Sequence, residues 1–186
     1  LGSAAFREVH EDDDDPLIGG PLRTLIEGLA GLNGTRFIHA GSAWVLASGD
    51  QLDETAPVAA GSCYARNKAR ADAMIPPLAQ HAGVAWSNLR LFNTFGRYES
   101  PTRLVPTLVA KLSRGEAVSL THGDQIRDFN DVDVVASAFV AALALPETAC
   151  NALYHIGSGR GTSVRDLALG VADFFGMPEL VQFGAV

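Results

Sequence analysis

The stretch CYARNKARADAM, Cys63–Met74, sets Tyr64 four residues ahead of Lys68. That spacing puts two side chains on one helical face, a turn apart. A free phenol has a pKa of about 10, too high for a base near neutral pH, and a nearby ammonium favours the phenolate. Tyr64 could therefore exchange a proton with a substrate hydroxyl or carbonyl while Lys68 tunes it. The same spacing also fits two ordinary residues sharing an exposed face. Upstream, RFIHAGSAWVL places Ser42 among small residues after a short apolar run. In a parallel sheet, residues just past the carboxyl end of a strand face the ligand crevice. The Ser42 hydroxyl could then bond the oxygen that Tyr64 protonates, although a lone serine there is also an ordinary turn residue.

These residues need elements to hold them. Apolar residues recur at helical spacing from Leu22 to Leu32, and Asn33-Gly34 stops that helix. TRFIHAGSAWVL reads as a buried strand, and helix followed by buried strand is the rhythm of a parallel α/β sheet. The helix with Tyr64 and Lys68 runs from about Ser62 to about His81, with Pro76-Pro77 expected to kink or interrupt it. Val84–Asn93 is the next strand, and RLVPTLVAKLSRG is an amphipathic helix ended by Gly115. AVSLT and QIRDFN read as short strands around the turn His122–Asp124. DVDVVASAFVAALAL is an apolar helix capped by Asp131. ALYHIG is a strand, SVRDLALGVADFFG a helix with cap Ser163 and stop Gly176, and LVQFG begins a final strand.

Composition narrows the function classes. The chain has 186 residues, 47% of them hydrophobic, enough for one domain with a sizeable core. A formal net charge of −7 argues against a nucleic-acid surface, which wants clustered Lys and Arg. Two distant cysteines, Cys63 and Cys150, lack metal-ligand spacing and read as reduced thiols of a cytoplasmic protein. Apolar runs are too short and interrupted to span a bilayer, and the first residues lack the basic and apolar regions of a signal peptide. EDDDDP, Glu11–Pro16, reads as a solvated loop rather than a metal site. YHIGSGRGTSVRDL has strand, glycine turn and helix, but Thr162 stands where a dinucleotide fingerprint needs its third glycine. It reads as a structural or ligand-side loop.

In order, RFIHAGSAWVL, LDETAPVAAGSCYARNKARAD, LRLFNTFGR, RLVPTLVAKLSRGEAVSLTHGDQIRDFNDVDVVASAF and ALYHIGSGRGTSVRDLA resemble the extended short-chain dehydrogenase/reductases. More narrowly, they resemble the NAD-dependent epimerase/dehydratase group that works on nucleotide sugars. The resemblance spans nearly the whole chain. It implies catalytic roles for Ser42, Tyr64 and Lys68, with Tyr64 as acid/base at the sugar carbon. It implies that Tyr64, Lys68 and Phe92 meet the cofactor, Lys68 at the nicotinamide ribose. Ser42, Asn93, Arg103 and Arg127 would meet the substrate, and an Arg fork suits a pyrophosphate. For Arg127, a salt bridge with Asp128 or Asp131 is the competing expectation. No metal is implied.

Departures sharpen this. Ala43-Trp44 stands where sugar dehydratases carry an Asp-Glu pair and decarboxylases a Glu, so a 4,6-elimination lacks its carboxylate. Leu46-Ala47 replaces a usual Tyr-Gly, which implies a reshaped pocket wall, and His155 replaces a usual Asn. LGSAA resembles the segment after the fourth strand of the family. The glycine-rich cofactor loop and a C-terminal piece are therefore expected outside this chain, which alone should bind NAD weakly.

The resulting expectation is an α/β fold: a partial doubly wound parallel, Rossmann-like sheet with a small substrate-binding lobe. Residues 1–97 and 129–157 would form the cofactor core, and 98–128 with 158–186 the lobe. The expected activity is NAD- or NADP-dependent hydride transfer on a nucleotide-diphosphate sugar, as a 4-ketoreductase in preference to a 4-epimerase. The alternative is a non-catalytic nucleotide-sugar-binding remnant. No nucleic-acid or membrane partner is expected. A homodimer is, through the small-residue face Ala65, Ala69, Ala73 and Leu78 and through Leu25, Leu29 and Leu32.

Overall fold

The computed structural model of the chain describes residues 18–185. Glu11–Pro16 and the opening LGSAA lie outside them. The described chain falls into two compact units, one running through Leu91 and adding Ser137–Ile156, the other holding Phe92–Ala136 and Gly157 onward.

The first unit is built on a three-stranded parallel sheet, in the order β1 (Arg36–Ser42), β2 (Ala85–Leu91), β6 (Ala152–Ile156). Register sets His39 opposite Asn88, Gly41 opposite Arg90, and Ser42 opposite Leu91. Helix α1 (Gly20–Glu27) and helix α2 (Cys63–Ala82) cover one face. Successive strand residues alternate sides, so Phe37, His39 and Gly41 share a face with Trp86, Asn88 and Arg90. At the amino end this face is apolar: Phe37 and Trp86 pack on Leu22, Ile26, Ile75 and Leu78. Towards the carboxyl end it becomes polar.

Two local expectations are corrected here. The first helix stops at Glu27, not Leu32, with Gly28 as its cap and turns after it. Only Leu22 and Ile26 reach the core. Gly31 adopts φ +77°, a left-handed conformation that a helix cannot continue through. The second helix is not interrupted at Pro76 and Pro77, since it continues through both over 20 residues. Each proline removes a helical N–H, but Ala71 and Ile75 before them and Leu78 and Ala79 after them are all buried. Tertiary packing thus holds both halves in one helix. Its ends follow local rules: Ser62 accepts from the Ala65 N–H at 3.1 Å, and Gly83 closes in the left-handed region.

In the second unit β3 (Asn93–Phe95) pairs in parallel with β5 (Ile126–Asp131), which pairs antiparallel with β7 (Gly161–Ser163). β4 (Val118–Leu120) pairs in parallel with β8 (Val181–Phe183). AVSLT and QIRDFN are therefore strands, but not each other's partners. Helix α3 (Leu104–Leu112) and helix α5 (Val164–Phe175) enclose the core of Leu108, Leu112, Val118, Ala168, Ala172 and Val181. Ser163 caps α5 by accepting from the Asp166 N–H at 2.9 Å, and Gly176 closes it. Helix α4 (Val132–Leu143) is entered through Asp131, whose Oδ1 accepts from the Asp133 N–H at 2.7 Å. Neither Cys63 nor Cys150 forms a disulfide among the described residues. Among the described residues no helix is long and apolar enough to cross a membrane, and no His, Cys, Asp and Glu cluster could hold a metal ion.

Candidate active site

Ser42 is the last residue of β1 and is 4% exposed. Its Oγ accepts from the Trp44 N–H at 3.3 Å, which starts a one-turn 3-10 helix over Ala43–Val45. Trp44 itself projects outward. Tyr64 lies in the first turn of α2 and is 52% exposed, so its ring is open to a ligand. One turn on, the Lys68 Nζ stands 5.8 Å from the Tyr64 ring centroid and donates to the Ala40 carbonyl at 3.1 Å. Ala40 precedes Ser42 by two residues. The helix thus delivers Tyr64 and Lys68 to the carboxyl end of the strand that carries Ser42. The four-residue spacing brings the ammonium to the aromatic ring, and the bond to Ala40 fixes it there.

A polar cluster behind Lys68 went unread in the sequence. Asp72, one further turn along α2, accepts from Arg90 Nε at 2.9 Å and from Asn88 Nδ2 at 2.7 Å. The Arg90 and Asp72 side chains are 6% and 7% exposed. The signal was there: Asn88 and Arg90 alternate with apolar residues in AWSNLRL, and a buried face carrying two such groups must satisfy them. His39 shares this face. Burial, then the Lys68 charge, lower its pKa to about 4 against the raising effect of Asp72, so it is neutral at pH 7.

The loop before α2 reaches β6. The Glu54 carboxylate accepts from the His155 N–H at 2.8 Å, and His155 Nδ1 lies 3.1 Å from the Leu52 carbonyl oxygen. The His155 N–H holds the Glu54 carboxyl below its ordinary pKa, and hydrogen bonds from Thr55 do the same for Asp53. Both stay ionised at neutral pH and neither stands ready as an acid.

The remaining predicted residues belong to the second unit. Phe92 precedes β3, and Asn93 begins it, opposite Phe129. Arg103 caps α3, with Nε 3.4 Å from Glu99 Oε1. Arg127 lies in β5 opposite Thr162 and donates from Nη1 to the Ile126 carbonyl at 2.8 Å. The glycine turn after β6 is explained by a residue that was not singled out. Asp128 accepts from the Ser158 N–H, the Ser158 Oγ and the Gly159 N–H at 2.9, 2.7 and 2.8 Å. A Cβ on Gly157 would lie 2.8 Å from Asp128 Oδ2. The amides that a phosphate would need are occupied by a carboxylate of the same unit, so this is a structural loop.

The profile of the NAD dependent epimerase/dehydratase family matches residues 21–157, well over half of the chain. The chain belongs to that family. Among curated relatives, the dTDP-L-rhamnose 4-epimerase of Burkholderia thailandensis is 37% identical over 119 residues, covering 57% of this chain and 32% of the relative. The CDP-abequose synthase of Salmonella typhimurium is 28% identical over 107 residues, covering 55% of this chain and 36% of the relative. The chain thus spans about a third of the length of these relatives. The UDP-glucose 4-epimerase of Thermotoga maritima, solved with UDP-glucose, superimposes with a TM-score of 0.78 at 23% identity, over 87% of this chain and 54% of that one. DesIV, a dTDP-glucose 4,6-dehydratase of Streptomyces venezuelae solved with NAD, gives 0.74 at 25% identity, over 87% and 51%. The α/β fold with its partial Rossmann-like parallel sheet is that of the family.

Proposed function

We propose that the protein to which this chain belongs is an NAD- or NADP-dependent nucleotide-sugar enzyme of the 4-ketoreductase or 4-epimerase type. The observation that carries the reading is the Tyr64–Lys68 pair: an open phenol, an ammonium 5.8 Å from its ring, and that ammonium tied to β1 through Ala40. The cofactor, when bound, accepts or returns a hydride at the sugar carbon. Tyr64 Oη takes the proton of the hydroxyl at that carbon, or returns it to a carbonyl there. Lys68 stabilises the phenolate electrostatically and, with Phe92, contacts the nicotinamide side. Ser42 Oγ donates to the reacting oxygen. Asn93, Arg103 and Arg127, all in the second unit, hold the sugar diphosphate, and that unit, Phe92–Ala136 with Gly157 onward, replaces the expected bounds 98–128 and 158–186 for the substrate lobe.

Elimination of water is disfavoured because Ala43 and Trp44 follow Ser42. Neither carries a carboxylate, and Trp44 points outward. The first relative described above is itself a 4-epimerase, and a ketoreductase needs the same pair. The two are separated by incubating the whole protein with UDP- and dTDP-hexoses and their 4-keto derivatives, with NADH or NADPH. Net oxidation of reduced cofactor marks the reductase; a 4-epimer formed without net cofactor turnover marks the epimerase. Tyr64→Phe should lower turnover by roughly 10²–10⁴-fold and leave nucleoside diphosphate affinity unchanged, the range for a lost general acid–base group. Turnover within a few-fold of wild type would refute the assignment.

A further inference from the structure

We propose that Asp72, Arg90 and Asn88 form a buried clamp that positions Tyr64 and Lys68. Tyr64, Lys68 and Asp72 recur every four residues and so share one face of α2. Two attachments follow each other along that face. Lys68 Nζ is bonded to the Ala40 carbonyl of β1 at 3.1 Å. One turn later, Asp72 takes two hydrogen bonds from β2, 2.9 Å from Arg90 Nε and 2.7 Å from Asn88 Nδ2. Asn88 and Arg90 are two residues apart and so lie on one side of the strand.

Gly41 makes the arrangement possible. Opposite Arg90 in register, it leaves the space that Asn88 and Arg90 cross; a Cβ there would stand 2.5 Å from Asn88 Oδ1 and 3.2 Å from Arg90 Cγ.

The apolar half of α2 does not set this geometry. Ile75, Leu78 and Ala79 lie towards the carboxyl end of the helix, packed with Leu22 and Ile26. Apolar burial, which includes Ala65 and Ala71, selects the face of the helix that meets the sheet, but it is non-directional and leaves the fine placement of the first turns to directional contacts. Two charge-assisted hydrogen bonds to one carboxylate are directional and fix the turn that faces the end of β1. A buried ion pair is weak evidence for net stability, since an apolar pair of similar size serves as well or better. Its contribution here is orientation: it sets where the phenol of Tyr64 and the ammonium of Lys68 stand.

The inference rests on the catalytic reading above for its consequence, but its test does not. Three whole-protein variants are compared with wild type: Asp72→Asn, Asp72→Leu/Arg90→Met and Tyr64→Phe. The first removes the charge partner. The second replaces both buried charges with apolar groups, so it keeps folding intact if the single variant does not fold. Amide hydrogen exchange is followed along α2. Loss of the clamp should speed exchange of Ala65–Lys68 by about tenfold or more while Leu78–Ala82 change by less than about threefold, a local rather than global opening. The double variant should regain part of the thermal stability, since Asn88 Nδ2 still loses its acceptor, yet keep the fast exchange. In turnover, both clamp variants should lose about 10–100-fold in kcat with KM for the nucleotide sugar within about threefold, as for a small misplacement of catalytic groups. Wild-type exchange at Ala65–Lys68 in the double variant, or uniform loss along α2, would overturn the clamp. So would a double variant that recovers full kcat. If Tyr64→Phe stays active, the catalytic reading falls, while the exchange pattern still decides the clamp.

Discussion

Adding one methyl group at Gly41 tests the packing beneath the site. The Cβ of Gly41→Ala would meet Asn88 Oδ1 at 2.5 Å, Arg90 Cγ at 3.2 Å and Asn88 Cγ at 3.3 Å. Asn88 is 1% exposed and its amide is bonded to Asp72, so it has little room to retreat. Overpacking of this kind costs about 1–3 kcal/mol, and any swing that breaks the Asn88–Asp72 bond adds about 1.5–3 kcal/mol for a hydrogen bond to a charged group. Replacing Gly by Ala returns about 0.4–1 kcal/mol by restricting the unfolded chain. With that bond broken the net loss is about 1.5–5.6 kcal/mol. At roughly 2–4 °C per kcal/mol for a chain of this size, the thermal midpoint should fall by about 3–22 °C. Urea unfolding of wild type and Gly41→Ala, followed by far-ultraviolet circular dichroism, gives the free energy independently. An unchanged midpoint in both measurements would refute the crowding of Asn88 and Arg90 over Gly41.

Three further outcomes are expected. His39 has a folded pKa of about 4 against 6.5 when unfolded, so only the unfolded chain takes up its proton between these values, and stability falls as pH drops from 6.5 towards 4. The loss approaches about 3 kcal/mol, and His39→Phe should flatten the urea midpoint over that window; an unchanged slope would contradict it. Arg127→Ala should weaken nucleoside diphosphate binding to the whole protein by about 1.5–3 kcal/mol, the range for a charge-assisted contact, with a smaller effect on NAD(P). Equal losses by calorimetry would refute this. The whole protein should also scatter light as a homodimer at micromolar concentration. Ala65 and Leu78 are buried within the chain's own unit, and Leu29 and Leu32 lie beyond α1, so the surface offered is narrower than the sequence suggested: Ala73, Pro77 and Leu25 are exposed on α1 and α2. A monomer mass across a dilution series would exclude it.

Local rules determined much of this protein from the sequence alone. The caps at Ser62 and Ser163, the left-handed stops at Gly83, Gly115 and Gly176, and the strand–helix alternation depend on neighbours a few residues away, and a sequence displays neighbours. The Tyr64–Lys68 spacing is of the same kind, because a four-residue repeat on a helix is fixed by backbone geometry. Tertiary structure decided what depends on distant partners. Pro76 and Pro77 stay helical because Ile75 and Leu78 are buried against α1, an energy absent from the helix itself. Asp128 fills the amides of the Gly157–Gly161 turn from 30 residues away. Asp72 meets Asn88 and Arg90 only because β1 and β2 align Gly41 with Arg90. Nothing in CYARNKARADAM names those partners, since the register that brings them together is set by the pairing of two strands.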